Sequence, residues 1–106
     1  MRTLSIKSGV HLLGLSPQIL FAITVIDGCY RRLGVDCVVT SATDSKHGHQ
    51  SLHYVGHAID IRTRDLDESQ KTVMLNLVTA ALGSGEFDVI LERDHLHVEW
   101  QPKGIT

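Results

Sequence analysis

Long apolar runs are missing from this chain. Nowhere do about 18 hydrophobic residues follow one another, so no segment is suited to cross a bilayer. An excess of one charge is missing as well. Ten Lys and Arg against twelve Asp and Glu leave a formal net charge of -2, which offers no general attraction to nucleic acid or anionic lipid. The opening Met1-Arg2-Thr3-Leu4-Ser5-Ile6-Lys7 has basic residues, but no continuous apolar stretch with a small-residue cleavage site follows. The sequence therefore reads as a protein made in the cytoplasm without a signal peptide. Cysteine is scarce: Cys29 and Cys37 are the two present, and neither has a partner at C-x2-C spacing. A closed structural site of four metal ligands is not available to them, and they read as buried thiols of a reducing compartment rather than a disulfide. Repeats and low-complexity segments are absent. The 106 residues, 42% hydrophobic and 21% charged, are those of one soluble globular domain, residues 1–106, without room for a second module.

Histidine, by contrast, is abundant and clustered. Of seven histidines, six lie in or just before two segments: His47, His49, His53, His57, His95 and His97. The segments are Ser51-Leu52-His53-Tyr54-Val55-Gly56-His57-Ala58-Ile59-Asp60-Ile61-Arg62 and Glu92-Arg93-Asp94-His95-Leu96-His97-Val98-Glu99-Trp100. A lone histidine, such as His11, is ordinarily structural. A histidine, a carboxylate and a second histidine from separate segments can instead fill three corners of a tetrahedral zinc site. The fourth corner is left for water, as in catalytic sites.

The remaining pattern supplies a scaffold. Ser16-Pro17 starts a helix, with serine as N-cap and proline at the first position, and Leu15 and Leu20 fall at the staple positions. Ile19, Ile23, Ile26, Tyr30 and Leu33 recur at helical steps up to Gly34, which predicts one amphipathic helix over 17–33. Cys37 to Ser41 reads as a strand, and 42–50 as a polar loop. In 58–62, Ile59 and Ile61 alternate with Ala58, Asp60 and Arg62, so Asp60 faces away from the isoleucine side. Gly56 and Ala58 are small enough for backbone and metal to come close. Asp65 or Asp67 caps a second helix that ends at Gly83 and carries Val73, Leu77, Val78, Ala81 and Leu82 on its apolar face. Strands are predicted at 87–92 and 95–100, joined through Arg93-Asp94 as a hairpin. The last strand sets His95, His97 and Glu99 on one face and Leu96, Val98 and Trp100 on the other. The expected fold is α+β: a small, mainly antiparallel sheet with two packed helices and a zinc site on the sheet.

Ser-x-His-x6-Asp, with Gly56 and Ala58 in the spacer, followed by His-x-His-x-Glu-Trp, resembles the zinc D-Ala-D-Ala peptidase family. That family takes in DD-carboxypeptidases, DD-dipeptidases, phage endolysins that cut the L-alanyl-D-glutamate bond and, more distantly, the Hedgehog signalling domain. The resemblance implies metal ligands at His53, Asp60 and His97. It implies a catalytic acid at Asp94, three residues before the last ligand, or at Glu92, nearer the place of the Hedgehog glutamate. His95 would donate a hydrogen bond to the carbonyl oxygen as charge develops there. Ser51 resembles the family serine before the first ligand and reads as a loop-fixing hydrogen bonder. Glu99 can orient a ligand histidine.

A rival reading stacks His49, His53 and His57 on one helix face, but Gly48, Gly56 and the aromatic and β-branched residues between them disfavour a helix there. One departure bears on substrate. Relatives carry a Ser-Gly-Tyr-Arg type motif where this chain has Thr40-Ser41-Ala42-Thr43-Asp44, without an arginine; Lys46 or Arg62 are the candidates to replace it. The implied function is a zinc-dependent peptidase of peptidoglycan stem peptides, either an L-Ala-D-Glu endopeptidase or a D-Ala-D-Ala carboxypeptidase. It would be a monomeric phage or prophage lysis enzyme acting on the cell wall. The alternative is a non-catalytic module that keeps zinc for stability.

Overall fold

The computed structural model describes residues 1–43, 56–83 and 85–101. Helix α1 (Pro17–Leu33) forms as its sequence dictates: Ser16 Oγ accepts from the Ile19 N–H at 3.2 Å, and Pro17 opens the first turn. It ends where Gly34, at φ 71°, turns its N–H back onto the carbonyls of Tyr30 and Arg31. Ile19, Ala22, Ile23, Ile26, Cys29 and Tyr30 are buried along one stripe. The predicted staple does not close, because Leu15 is in the core while Leu20 is 44% exposed. Helix α2 (Glu68–Leu82) begins at Asp67, whose carboxylate accepts from the Gln70 N–H at 2.8 Å while Gln70 Oε1 accepts from the Asp67 N–H at 3.0 Å. The bond from the Gln70 N–H first, and then the one that the Ser69 hydroxyl donates, hold the Asp67 carboxyl below the usual range. The buried edge of α2 runs through Met74 and Val78, with Val73 47% exposed and Ala81 outside. Of the predicted apolar face, Val78 is buried and Leu77 and Leu82 pack against the core, while Val73 and Ala81 are exposed and Met74 is buried instead.

Five strands form one sheet in the order β1-β2-β3-β5-β4, with β1 (Leu4–Ile6), β2 (Cys37–Ser41), β3 (Ala58–Arg62), β4 (Phe87–Leu91) and β5 (His95–Trp100). β1 runs parallel to β2 and every other pairing is antiparallel. β1 was not predicted. Its place is fixed from outside the strand: Arg2 pairs with the buried Asp27 of α1, Arg2 Nε donates to the Val35 carbonyl at 2.9 Å, and Asp36 caps the Thr3 N–H at 2.7 Å. The expected α+β architecture of two helices on a mostly antiparallel sheet is the one observed.

Period-two alternation divides the sheet. Cys37, Val39, Ile59, Ile61, Leu96 and Val98 are fully buried in one core cluster with Ile19 and Ile26 of α1 and Met74 and Val78 of α2. Each aliphatic side chain so buried contributes roughly 1.5–3 kcal/mol. The Tyr30 hydroxyl donates to the Arg62 carbonyl at 2.8 Å, fastening α1 to the end of β3, and burial pushes its pKa up. Both cysteines are buried free thiols, with Cys37 pushed up to about 12 by burial. The opposite face, with Thr40, Asp60, Arg62, His95, His97 and Glu99, is left uncovered by either helix.

The chain enters β3 across the segment that starts α1. Gly56 sits at φ 76°, its carbonyl accepts from the Ser16 N–H at 2.9 Å, and an added Cβ would lie 2.1 Å from the Gly14 carbonyl oxygen. Its smallness thus serves the close approach of backbone that the sequence offered. Gly56→Ala is therefore expected to cost more than about 2 kcal/mol, from left-handed strain plus the clash. For a domain of this size, that is a fall in Tm of roughly 8 °C or more. Gly34→Ala has a similar φ of 71° but nothing within 4 Å of the new Cβ, so it should lose only about 1 kcal/mol of backbone strain. Equal thermal melts for the two variants would contradict the close approach.

Candidate metal centre

Strands β3 and β5 pair with Asp60 opposite His97, Arg62 opposite His95 and Ala58 opposite Glu99. All six residues stand on the sheet face away from the two helices, where Ala58 and Asp60 are themselves buried, since their neighbours Ile59, Ile61, Leu96 and Val98 fill the core. Asp60 Oδ1 lies 2.9 Å from His97 Nδ1, and Glu99 Oε1 lies 2.7 Å from His97 Nε2. The imidazole is thus held from both nitrogens by carboxylates. Its pKa is raised, first by the Asp60 bond and then by Glu99, against the opposing effect of burial. Gln101 Nε2 donates in turn to Glu99.

His95 is oriented in the same manner from the turn. Its Nδ1 is 2.7 Å from Asp94 Oδ1, and its Nε2 is directed to Asp60 Oδ1 at 3.6 Å. Asp94 is largely exposed, and its carboxyl is held below the usual range chiefly by the hydrogen bond with His95. The Glu92 N–H donates to the His95 carbonyl at 2.9 Å, closing the hairpin over Arg93 and Asp94 as the sequence predicted. Beside these groups opens a cleft of about 440 Å³ whose wall includes Asp60, Arg62, Asp94 and His95. Glu92 is exposed and is not among the residues of that wall.

Spacing and donor chemistry test whether these residues suit zinc. Nitrogen and oxygen ligands about 2.0–2.1 Å from a tetrahedral zinc lie roughly 3.3 Å apart. The Asp60 oxygen is 2.9 Å from His97 and 3.6 Å from His95, on either side of that value. Glu99 on the far nitrogen of His97 is the partner that fixes the tautomer of a ligand imidazole. The pair Asp60 and His97 fits the metal. Among the described residues no group of three His, Cys, Asp or Glu side chains is arranged to hold an ion. His53, the expected third ligand, lies outside the described residues, as do His47, His49, Ser51 and Lys46.

His57, third member of the rival histidine stack, is in neither a helix nor a strand. Its ring meets Trp100 edge to face at 4.9 Å, and its carbonyl accepts the Trp100 N–H at 2.8 Å. Two cleft residues escaped the sequence reading: Lys7, just beyond the unpredicted β1, and Arg64, which continues the i, i+2 spacing of Arg62 past the end of β3. That spacing was the available signal for Arg64; Lys7 had none.

A search of curated proteins gives no match. The family model of the Hedgehog amino-terminal signalling domain matches residues 20–100, from within α1 to the last residue of β5, and so takes in Asp60, His95 and His97. Its fold is that of the zinc D-Ala-D-Ala peptidases and is associated with zinc. With some three quarters of its length matched, and with the two-helix sheet and the Asp60–His97 pair in place, this chain belongs to the Hedgehog amino-terminal signalling domain family.

Proposed function

We propose that the chain is a zinc-dependent peptidase of peptidoglycan stem peptides, with His53, Asp60 and His97 as metal ligands and Asp94 as the general base. The observation that carries this reading is the Asp60–His97 contact at 2.9 Å, on the sheet face away from the helices and beside a cleft, with Glu99 behind the imidazole. Zinc held there supplies Lewis acidity, polarising a peptide carbonyl and acidifying water to a pKa of about 7. Asp94 stays ionised beside His95 and lines the same cleft as Asp60, so it is the carboxylate available to take a proton and pass it to the leaving amine. Glu92, away from the cleft wall, is the weaker candidate. As the imidazolium, His95 donates Nδ1–H to Asp94 and turns Nε2–H toward the Asp60 side, where it can donate to a carbonyl oxygen gaining charge. The same reading makes the protein a monomeric phage or prophage lysis enzyme acting on the cell wall.

A second reading has its own support. The matching family model is that of a signalling domain, and the stretch Thr40-Ser41-Ala42-Thr43-Asp44 lacks an arginine. On that reading the site keeps zinc for stability and cuts nothing.

One assay separates the two. Zinc-loaded protein incubated with cell walls of several peptide types should release new amino groups, and chelation should abolish the release and lower Tm. Asp94→Asn is expected to keep its zinc and lose roughly 10²–10⁴-fold in turnover. Glu92→Gln should stay near wild type, and His97→Ala should lose the metal. Full cleavage by metal-free protein would end the peptidase reading; no cleavage of any wall type with one zinc tightly bound selects the second. Loss of turnover in Glu92→Gln alone moves the base to Glu92.

The environment of His97 also sets a pH dependence. Because its folded pKa is raised, its proton stabilises the metal-free fold fully below the unfolded value of about 6.5. That contribution is lost as pH rises through the folded value. A metal must displace this proton, so zinc affinity should climb as pH rises toward the raised folded value and level off above it, with proton release seen by calorimetry in buffers of different ionisation heat. Glu99→Gln removes one of the two flanking carboxylates and should shift the climb to lower pH. An affinity flat across that window contradicts His97 as a ligand.

A further inference from the structure

The turn that carries Asp94 is tied to the rest of the molecule at two points. Its carboxylate meets His95 Nδ1 at 2.7 Å, and its backbone carbonyl accepts from the Thr63 N–H at 3.2 Å. The second bond continues the β3–β5 ladder one position past its last register pair, Arg62 with His95. The Asp94 side chain is 79% exposed, so packing does little to place it and these two bonds set where its carboxylate stands. The Thr63 hydroxyl has no partner among the described residues; what Thr63 gives the hairpin is its N–H.

That N–H does not act alone. It belongs to the peptide group whose other end is the Arg62 carbonyl, and this carbonyl accepts from the Tyr30 hydroxyl at 2.8 Å. A trans peptide presents the two atoms on opposite sides, so α1 and the hairpin hold one rigid plane between them. The Tyr30 hydroxyl, the Arg62–Thr63 peptide and the Asp94 carbonyl thus form one chain of hydrogen bonds. Tyr30 is 1% exposed and Thr63 is fully buried. Away from water each bond polarises the next, strengthening it by roughly 10–30%. Burial also pushes the Tyr30 pKa up, which keeps the hydroxyl protonated as a donor. Resting on the peptidase reading above, we propose that Tyr30 is a positioning residue for the reaction: through the Arg62–Thr63 peptide it fixes the Asp94 turn, and with it the general base, relative to Asp60 on the same strand. Tyr30 is not among the residues of the cleft wall, so the core reaches the base without meeting substrate. Without the hydroxyl, the Arg62 carbonyl is left buried and unpaired, and any tilt of the peptide toward a new partner draws the Thr63 N–H off Asp94. A misplacement of about 1 Å at a reacting group can cost roughly 10²-fold in rate.

The test compares zinc-loaded full chain, wild type and Tyr30→Phe, on soluble stem peptides prepared from cell walls. Tyr30→Phe keeps the ring in the core and should lower kcat roughly 10-fold, with KM and zinc affinity within about twofold of wild type. Ile26→Val thins the same buried stripe one turn earlier and should leave kcat unchanged, which separates the hydroxyl from the packing. On an Asp94→Asn background, Tyr30→Phe should add less than about twofold, because its effect passes through Asp94. By NMR, the scalar coupling across the hydrogen bond from the Thr63 amide nitrogen to the Asp94 carbonyl carbon should be resolved in wild type. It should shrink in Tyr30→Phe and not in Ile26→Val. If Tyr30→Phe does not fold, fluorotyrosine in place of Tyr30, a more acidic donor of nearly the same size, should enlarge the coupling instead; an unchanged coupling overturns the proposal. So does an unchanged kcat in folded Tyr30→Phe, a loss that multiplies with that of Asp94→Asn, or a wild-type protein without the coupling. If wild-type protein cleaves no peptide while the coupling is present and falls in Tyr30→Phe, the peptidase reading fails and Tyr30 stands as the group that fixes the Asp94 turn.

Discussion

The antiparallel pairing of β3 with β5 is the constraint on which the candidate centre depends. Asp60 and His97 meet because they are register partners, and a slip of one residue would send each to the helix-covered face. What holds the register is the other side of the same two strands. Ile59, Ile61, Leu96 and Val98, all fully buried, contribute roughly 1.5–3 kcal/mol apiece, and every one of them would face solvent after a slip. An apolar face therefore positions a polar one. The polar groups need contribute nothing to the fold, and they are free to be arranged for binding.

That freedom shows in the electrostatics. His97 is gripped between Asp60 and Glu99, and His95 between Asp94 and, at longer range, the same Asp60. Two carboxylates about one imidazole favour its cationic form, and a divalent ion that displaces the proton brings one further positive charge to the same two acids. The turn at Arg93 and Asp94 supplies the outermost acid, while Arg62 and Arg64 carry positive charge onward along β3. Along this face Asp60 is level with His97 and Arg62 with His95, and the Asp94 carbonyl accepts from the Thr63 N–H at the same end as Arg62.

Much of this was legible in the sequence because period-two and helical patterns are local. The limits of α1, β2, β3 and β5, and the shared face of His95, His97 and Glu99, follow from alternation and capping alone. β1 was illegible: three exposed residues carry no pattern, and they are fixed by an Arg2–Asp27 ion pair that spans distant parts of the chain. On α2, apolar residues at 73, 74, 75, 77 and 78 fit more than one stripe, and only the position of β4 and α1 beside it selects Met74 over Val73. The cleft cations were half visible. Arg62 stood out beside Asp60, while Lys7 joins it only through the parallel β1–β2 pairing.

The most direct test of the account is a crystal structure of the zinc-loaded protein with anomalous scattering at the zinc edge. The account predicts one zinc bonded at about 2.0–2.2 Å to His53, Asp60 and Nδ1 of His97. Glu99 should remain on Nε2, and Asp94 should stand within about 2.6–3.2 Å of the water in the fourth position. Zinc held instead by His49, His53 and His57, or a structure in which His97 keeps both carboxylate bonds and no metal binds, would contradict it.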